Sequence, residues 1–154
     1  MKNSSKLAIA AITLWVLTIV VFGYKFVTGS TELAEDNRQA ITITPSEKIV
    51  VLGEMRGMLL TVQGILEGLE DNNMDAVSQA ALASGTEHMV DTDPRLMLKL
   101  PLAFKKLGVG SHTYFDEISA KAKSGTSKET IIKMLNTQLK SCVACHATYQ
   151  LKTE

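Results

Sequence analysis

Apolar residues run without a charge from Leu7 to Tyr24, and beyond them they recur every three or four positions between polar breaks. The first pattern predicts a helix that crosses a membrane. Its 18 residues would span about 27 Å at 1.5 Å per residue, close to a hydrocarbon core of about 30 Å. The alternative is a cleaved signal peptide, but the segment exceeds the usual apolar length. GYKFVTGSTELAED, which follows Phe22, offers no convincing small-residue cleavage site. An uncleaved anchor over residues 1–28 is the preferred reading. Lys2 and Lys6 keep its N-terminus inside and send the rest of the chain across; Lys25 weakens that orientation.

Residues 29–43 are polar and aperiodic and read as a linker. The domain, 44–154, is punctuated helix, with no sustained period of two to suggest a sheet. A first helix is predicted from Thr44-Pro45-Ser46 to about Leu69, where Thr44 and Glu47 have capping-box spacing and Pro45 suits the first helical position. Its apolar stripe is Val51, Met55, Met58, Val62, Ile65 and Leu69. A second helix is predicted from about Asn73 to Val90, ended by Asp91-Thr92-Asp93-Pro94. Leu96–Leu100 should form a short helical turn, and Pro101 interrupts any longer helix there. A third helix should begin near Ser111 and stop at Ser124-Gly125. The fourth should open on Thr126-Ser127-Lys128-Glu129 as a capping box and run towards the C-terminus. The expected fold is all-α, an antiparallel four-helix bundle with an N-terminal transmembrane helix.

Charge refines this picture. Lys plus Arg and Asp plus Glu are each 16, which gives no electrostatic footprint for nucleic acid. From Thr44 to Thr92, however, two basic residues face eight acidic ones, a balance of −6, whereas from Asp93 to Glu154 the balance is +5. The second half of the domain should present a basic surface that suits a partner with an acidic docking face.

The two cysteines stand three residues apart, so they cannot form a disulfide framework. Cys142-Val143-Ala144-Cys145-His146 is C-x-x-C-H, the signature of covalent haem c attachment. Two thiols at this spacing can each hold one vinyl group of the same haem, and the adjacent histidine can bind its iron as the proximal ligand. A thioredoxin-like motif would come after a strand, and none is expected here. Zinc needs a fourth ligand, for which only His88 or His112 is at hand.

Eight residues follow the motif, which lies on the last helix. Ile131, Leu135 and Gln138 precede it on one face and Tyr149 comes after it. On SCVACHATY and the helical pattern around it, the soluble region resembles the class II c-type cytochromes: cytochromes c-prime and their low-spin relatives. That resemblance implies one haem c packed between helices near one end of a bundle, with Cys142 and Cys145 as thioethers and His146 as fifth ligand. It also implies a methionine from the first helix as sixth ligand in the low-spin members, and an open site in the others. Met58 is the expected ligand and Met55 the alternative. Arg56 and Lys140 are candidates for haem propionates, and His88 and His112 are lesser candidates for iron.

The expected function is single-electron transfer by a membrane-tethered monohaem cytochrome. Its haem domain would lie in the periplasm, beside a bacterial inner membrane that holds the anchor. A five-coordinate gas-binding protein is the second reading, and a haem-bearing subunit of a larger membrane redox complex, or a homodimer, the third. No nucleophile–base pair or phosphate loop points to an enzyme.

Overall fold

The computed structural model describes residues 2–89 and 93–154. It is mostly helical. Helix α1 (Lys2–Thr28) carries the apolar N-terminal segment, and 5–28 is long and apolar enough to cross a membrane. Helices α2 (Pro45–Glu70), α3 (Met74–Leu82), α4 (Pro94–Lys99), α5 (Leu102–Lys123) and α6 (Lys128–Thr148) come next, with a 3-10 turn at Thr86–His88.

The capping box at the start of α2 forms as the sequence predicts. The Thr44 backbone N–H donates to Glu47 Oε2 at 2.7 Å, and Glu47 N–H donates to Thr44 Oγ1 at 3.3 Å. The apolar stripe then faces inward, with Val62, Ile65 and Leu69 buried. At the far end α2 approaches α3 closely. A side chain at Gly68 would collide with the Val77 backbone, so the small residue sets that spacing.

Several expectations are corrected. The second helix stops at Leu82 rather than continuing to Val90, which with Asp91 and Thr92 lies outside the described residues. Beyond the stop, the Asp116 carboxylate of α5 sits where a side chain on Gly85 would be, and accepts from Thr86 N–H at 3.0 Å and Thr86 Oγ1 at 2.7 Å. Pro101 separates α4 from α5 as expected, but no connector follows it: it stands at the N-cap of α5, where its missing N–H costs nothing. The helix therefore begins at Leu102, well before Ser111. For α6 the cap is Ser127, not Thr126; its hydroxyl accepts from Thr130 N–H at 3.3 Å.

The expected linker is a further correction. Residues 29–43 contain β1 (Thr31–Leu33) and β2 (Gln39–Ile43), paired as an antiparallel hairpin. The residues after α6 form β3 (Tyr149–Thr153), which lies parallel to β2 from Gln39↔Tyr149 to Ile43↔Thr153. The chain is therefore not all-α.

Helix α2 packs on α3, α3 on α5, and α5 on α6. The helices α2 and α6 run antiparallel, since the end of α2 and the start of α6 share a core. That core joins Val62, Ile65 and Leu69 to Val77, Phe115, Ile118, Ile131 and Leu135. A second apolar cluster, at the other end, joins Ile41 and Ile43 of β2 to Leu96, Leu100, Phe104 and Tyr149.

Candidate functional site

The cysteine motif occupies the last turns of α6. Ile131, Leu135 and Gln138 are buried, and the inward stripe continues through Cys142 and Cys145, both partly buried, to buried Tyr149. His146 stands beside this stripe and is exposed. At 100° per residue, Leu139, Cys142, Val143 and His146 share the flank of α6 opposite Thr137 and Ser141, which face α5. On α2 the same reasoning sets Leu52, Met55 and Leu59 opposite Thr61 and Gly64, which meet the α3 region. Both flanks point away from the packed α2–α3 and α5–α6 faces. They are apolar and uncovered: Leu59 and Val143 are each 68% exposed. Nearly bare leucine and valine on the free sides of two helices leave apolar surface to be covered.

Burial favours the neutral form of both thiols. Burial pushes the Cys142 thiol up from its ordinary value, and burial together with the charge of Cys142 pushes Cys145 up. A disulfide-exchange motif lowers such a value to expose a nucleophile, which is the opposite tendency. Neutral thiols on one inward stripe suit covalent attachment to a planar apolar group.

The end of α6 is held firmly. Tyr149 N–H closes the helix on Cys145 O, and the Tyr149 ring meets Phe104 edge-on at 5.3 Å. Arg38 reaches from the hairpin and donates to His146 O at 3.3 Å and to Gln150 Oε1 at 3.2 Å.

The methionines of α2 separate by neighbourhood. Met55 packs against the cluster that also takes Cys145, whereas Met58 packs against the other core with Val62 and Phe115 as members. The register agrees. Lys128 Nζ lies 3.4 Å from Asn72 Oδ1; His146 is eighteen residues up α6 from that contact, and eighteen residues back along α2 is position 54. Met55 is thus closer in level to His146 than Met58 is.

The remaining candidates lie elsewhere. His112 is buried between helices: its Nδ1 donates to Ser84 O at 2.9 Å and its Nε2 lies 3.5 Å from Glu54 Oε2. His88 is exposed in the 3-10 turn, and Arg56 and Lys140 are exposed. Arg56 falls about 100° round α2 from Met55, towards solvent. Among the described residues no three His, Cys, Asp or Glu side chains converge as a metal cluster, so neither histidine joins the cysteines in a zinc-like set. Sequence reasoning missed Arg38 and the strand after α6, because their partners lie more than 100 residues away along the chain.

No family model, curated protein or solved structure matches the chain.

Proposed function

We propose that the chain is a membrane-anchored haem c protein that transfers single electrons, built on a four-helix bundle whose open side, between α2 and α6, receives the haem. The observation that carries this reading is the place of C-x-x-C-H: Cys142 and Cys145 continue the inward stripe of α6, His146 is exposed beside them, and Met55 of α2 packs against the same apolar cluster as Cys145. The donor set fits the group, with two neutral thiols for thioethers and His146 exposed beside them for iron. Haem c would supply a one-electron iron couple there.

The chain's own residues divide the remaining work. Cys142 and Cys145 fix the group to α6, and His146 takes the proximal side. Met55, with Met58 as alternative, offers a thioether from α2, the ligand type that stabilises ferrous iron and raises the potential. Leu52, Leu59, Leu139 and Val143 would exclude water from the faces.

The reading includes α1 as a retained anchor, with the haem domain on the extracytoplasmic side. Support comes from its last turn, which is built into the domain. Lys105 of α5, 7% exposed, donates to Phe26 O at 2.7 Å and to Met97 O at 3.1 Å, with its ammonium 3.5 Å from the Phe26 ring centroid. Gly29 takes a positive φ of 66° against the Leu100 backbone, and Ser30 N–H donates to Lys99 O at 2.7 Å. Cleavage before Phe26 would strip a buried lysine of its main partner.

Acid–acetone extraction of the purified protein tests the core of this proposal. The haem is expected to stay with the polypeptide and to leave it after Cys142→Ala with Cys145→Ala. Haem released from the parent chain, or no haem at all, rejects it.

A further inference from the structure

A second site lies between α5 and α6, bordered by Gln138 of the same inward stripe that carries Cys142 and Cys145. It is an open cavity of about 170 Å³, lined by Lys106, Ser111, Tyr114, Gln138 and Ser141 among others. One observation sets it apart. Gln138 is 2% exposed, and its Nε2 is the one buried side-chain nitrogen or oxygen among the described residues without a hydrogen-bond partner. Native proteins seldom leave such a donor unmet, because its lost hydration is not repaid.

The chemistry around the unmet amide is one-sided. Lys106 brings an ammonium, Ser111, Tyr114 and Ser141 bring hydroxyls that can donate, and no carboxylate lines the cavity. Neighbouring α5 and α6 belong to the half of the domain with a net positive charge. We propose that this cavity binds a small oxyanion, either a carboxylate or a phosphate-like ion, with Gln138 Nε2 and Lys106 Nζ as its principal donors. Several oxygens on one small anion can meet these donors together, which a cation or an apolar solute cannot do. The proposal does not rest on the haem reading. Its anion has two sources of the same chemistry: a free solute, or a propionate of a haem held by Cys142 and Cys145 one turn further along α6.

Titration calorimetry of the detergent-extracted full chain with sodium phosphate, and separately with sodium acetate, at constant ionic strength tests the site. The same titrations are run on Lys106→Gln, an exposed position that the fold does not depend on, on Gln138→Leu, and on Cys142→Ser with Cys145→Ser. Saturable binding by the parent chain, weakened about tenfold or more in Lys106→Gln and Gln138→Leu, establishes a free-solute site. Binding seen only in the double-serine chain, and lost when Lys106→Gln is added, assigns the cavity to a propionate. No binding in either chain, or binding that ignores both substitutions, overturns the proposal and leaves Gln138 to water.

Discussion

Replacing Met55 with leucine should convert a six-coordinate iron to five-coordinate, and replacing Met58 should not. The register set by Lys128 and Asn72 puts His146 level with position 54 of α2. Side chains on a helix lean towards its N-terminus, by about one residue. On antiparallel helices both ligands therefore lean towards each other, and the meeting level moves to about position 56. Met55 then lies about 1.5 Å from that level and Met58 about 3 Å, at 1.5 Å of rise per residue. That difference alone is modest, and the neighbours decide: Met55 shares a cluster with Cys145, Met58 with the opposite core. Leucine nearly conserves the volume of methionine, so either change should cost less than about 1.5 kcal/mol of stability. Absorption spectra of oxidised and reduced protein, with and without carbon monoxide, give the readout. Met55→Leu should give a high-spin spectrum, a lower potential and ready carbon monoxide binding. A high-spin change in Met58→Leu alone would refute the level and neighbour argument. If neither variant changes a low-spin spectrum, no methionine of α2 is the ligand. A high-spin parent would replace the electron carrier with the gas-binding reading.

Lys105→Met keeps the apolar stem over Phe26 but removes two hydrogen bonds from a charged donor. It should cost about 1.5–3 kcal/mol in thermal unfolding and expose the 29–33 segment to limited proteolysis, while the intact mass of the parent still includes α1; a mature chain that begins after Phe26 would refute the anchor. Acid should loosen the start of α2 first. Burial pushes the Glu47 carboxyl up, but the Thr44 N–H and the Lys99 ammonium at 2.9 Å outweigh it and hold it below its ordinary 4.5. A lowered carboxyl adds stability that is fully present above its unfolded value and fades as pH falls through the folded one. Glu47→Gln should therefore lessen the loss of stability below about pH 4.5, as monitored by circular dichroism; an unchanged acid profile would show that the pair contributes nothing.

Much of the helical frame was legible because its signals are local. The Thr44–Glu47 box, the stripe from Val51 to Leu69 and the apolar run in α1 each need only their own neighbours in sequence. The C-x-x-C-H motif was legible for the same reason. The misses have one physical source, which is contact between distant residues. Nothing in Tyr149-Gln150-Leu151-Lys152-Thr153 announces a strand until Gln39–Ile43 lies beside it. Gly85 makes room for the carboxylate of Asp116, 31 positions later. Met58 and Met55, alike on one stripe in the sequence, pack against different apolar clusters in the fold, and which of them is a ligand is the question the absorption spectra decide.

The unexpected sheet bears directly on the proposed site. A motif so near the chain's end would ordinarily sit on a fraying turn, where the last carbonyls of a helix lack partners. Here the turn is held from two directions. The Arg38 guanidinium, itself steadied by Asp36 at 2.7 Å, donates to the carbonyl of the proximal candidate His146. Parallel pairing of β3 with β2 fixes the residues after it, and β2 leads through Thr44 into α2, so the same strand sets the start of the helix that carries Met55. The sheet thereby ties the end of α6 to the start of α2. Ligands held by rigid supports reorganise little when the charge at the centre between them changes. That suits a centre that changes charge without rearranging more than one that must open to admit a substrate.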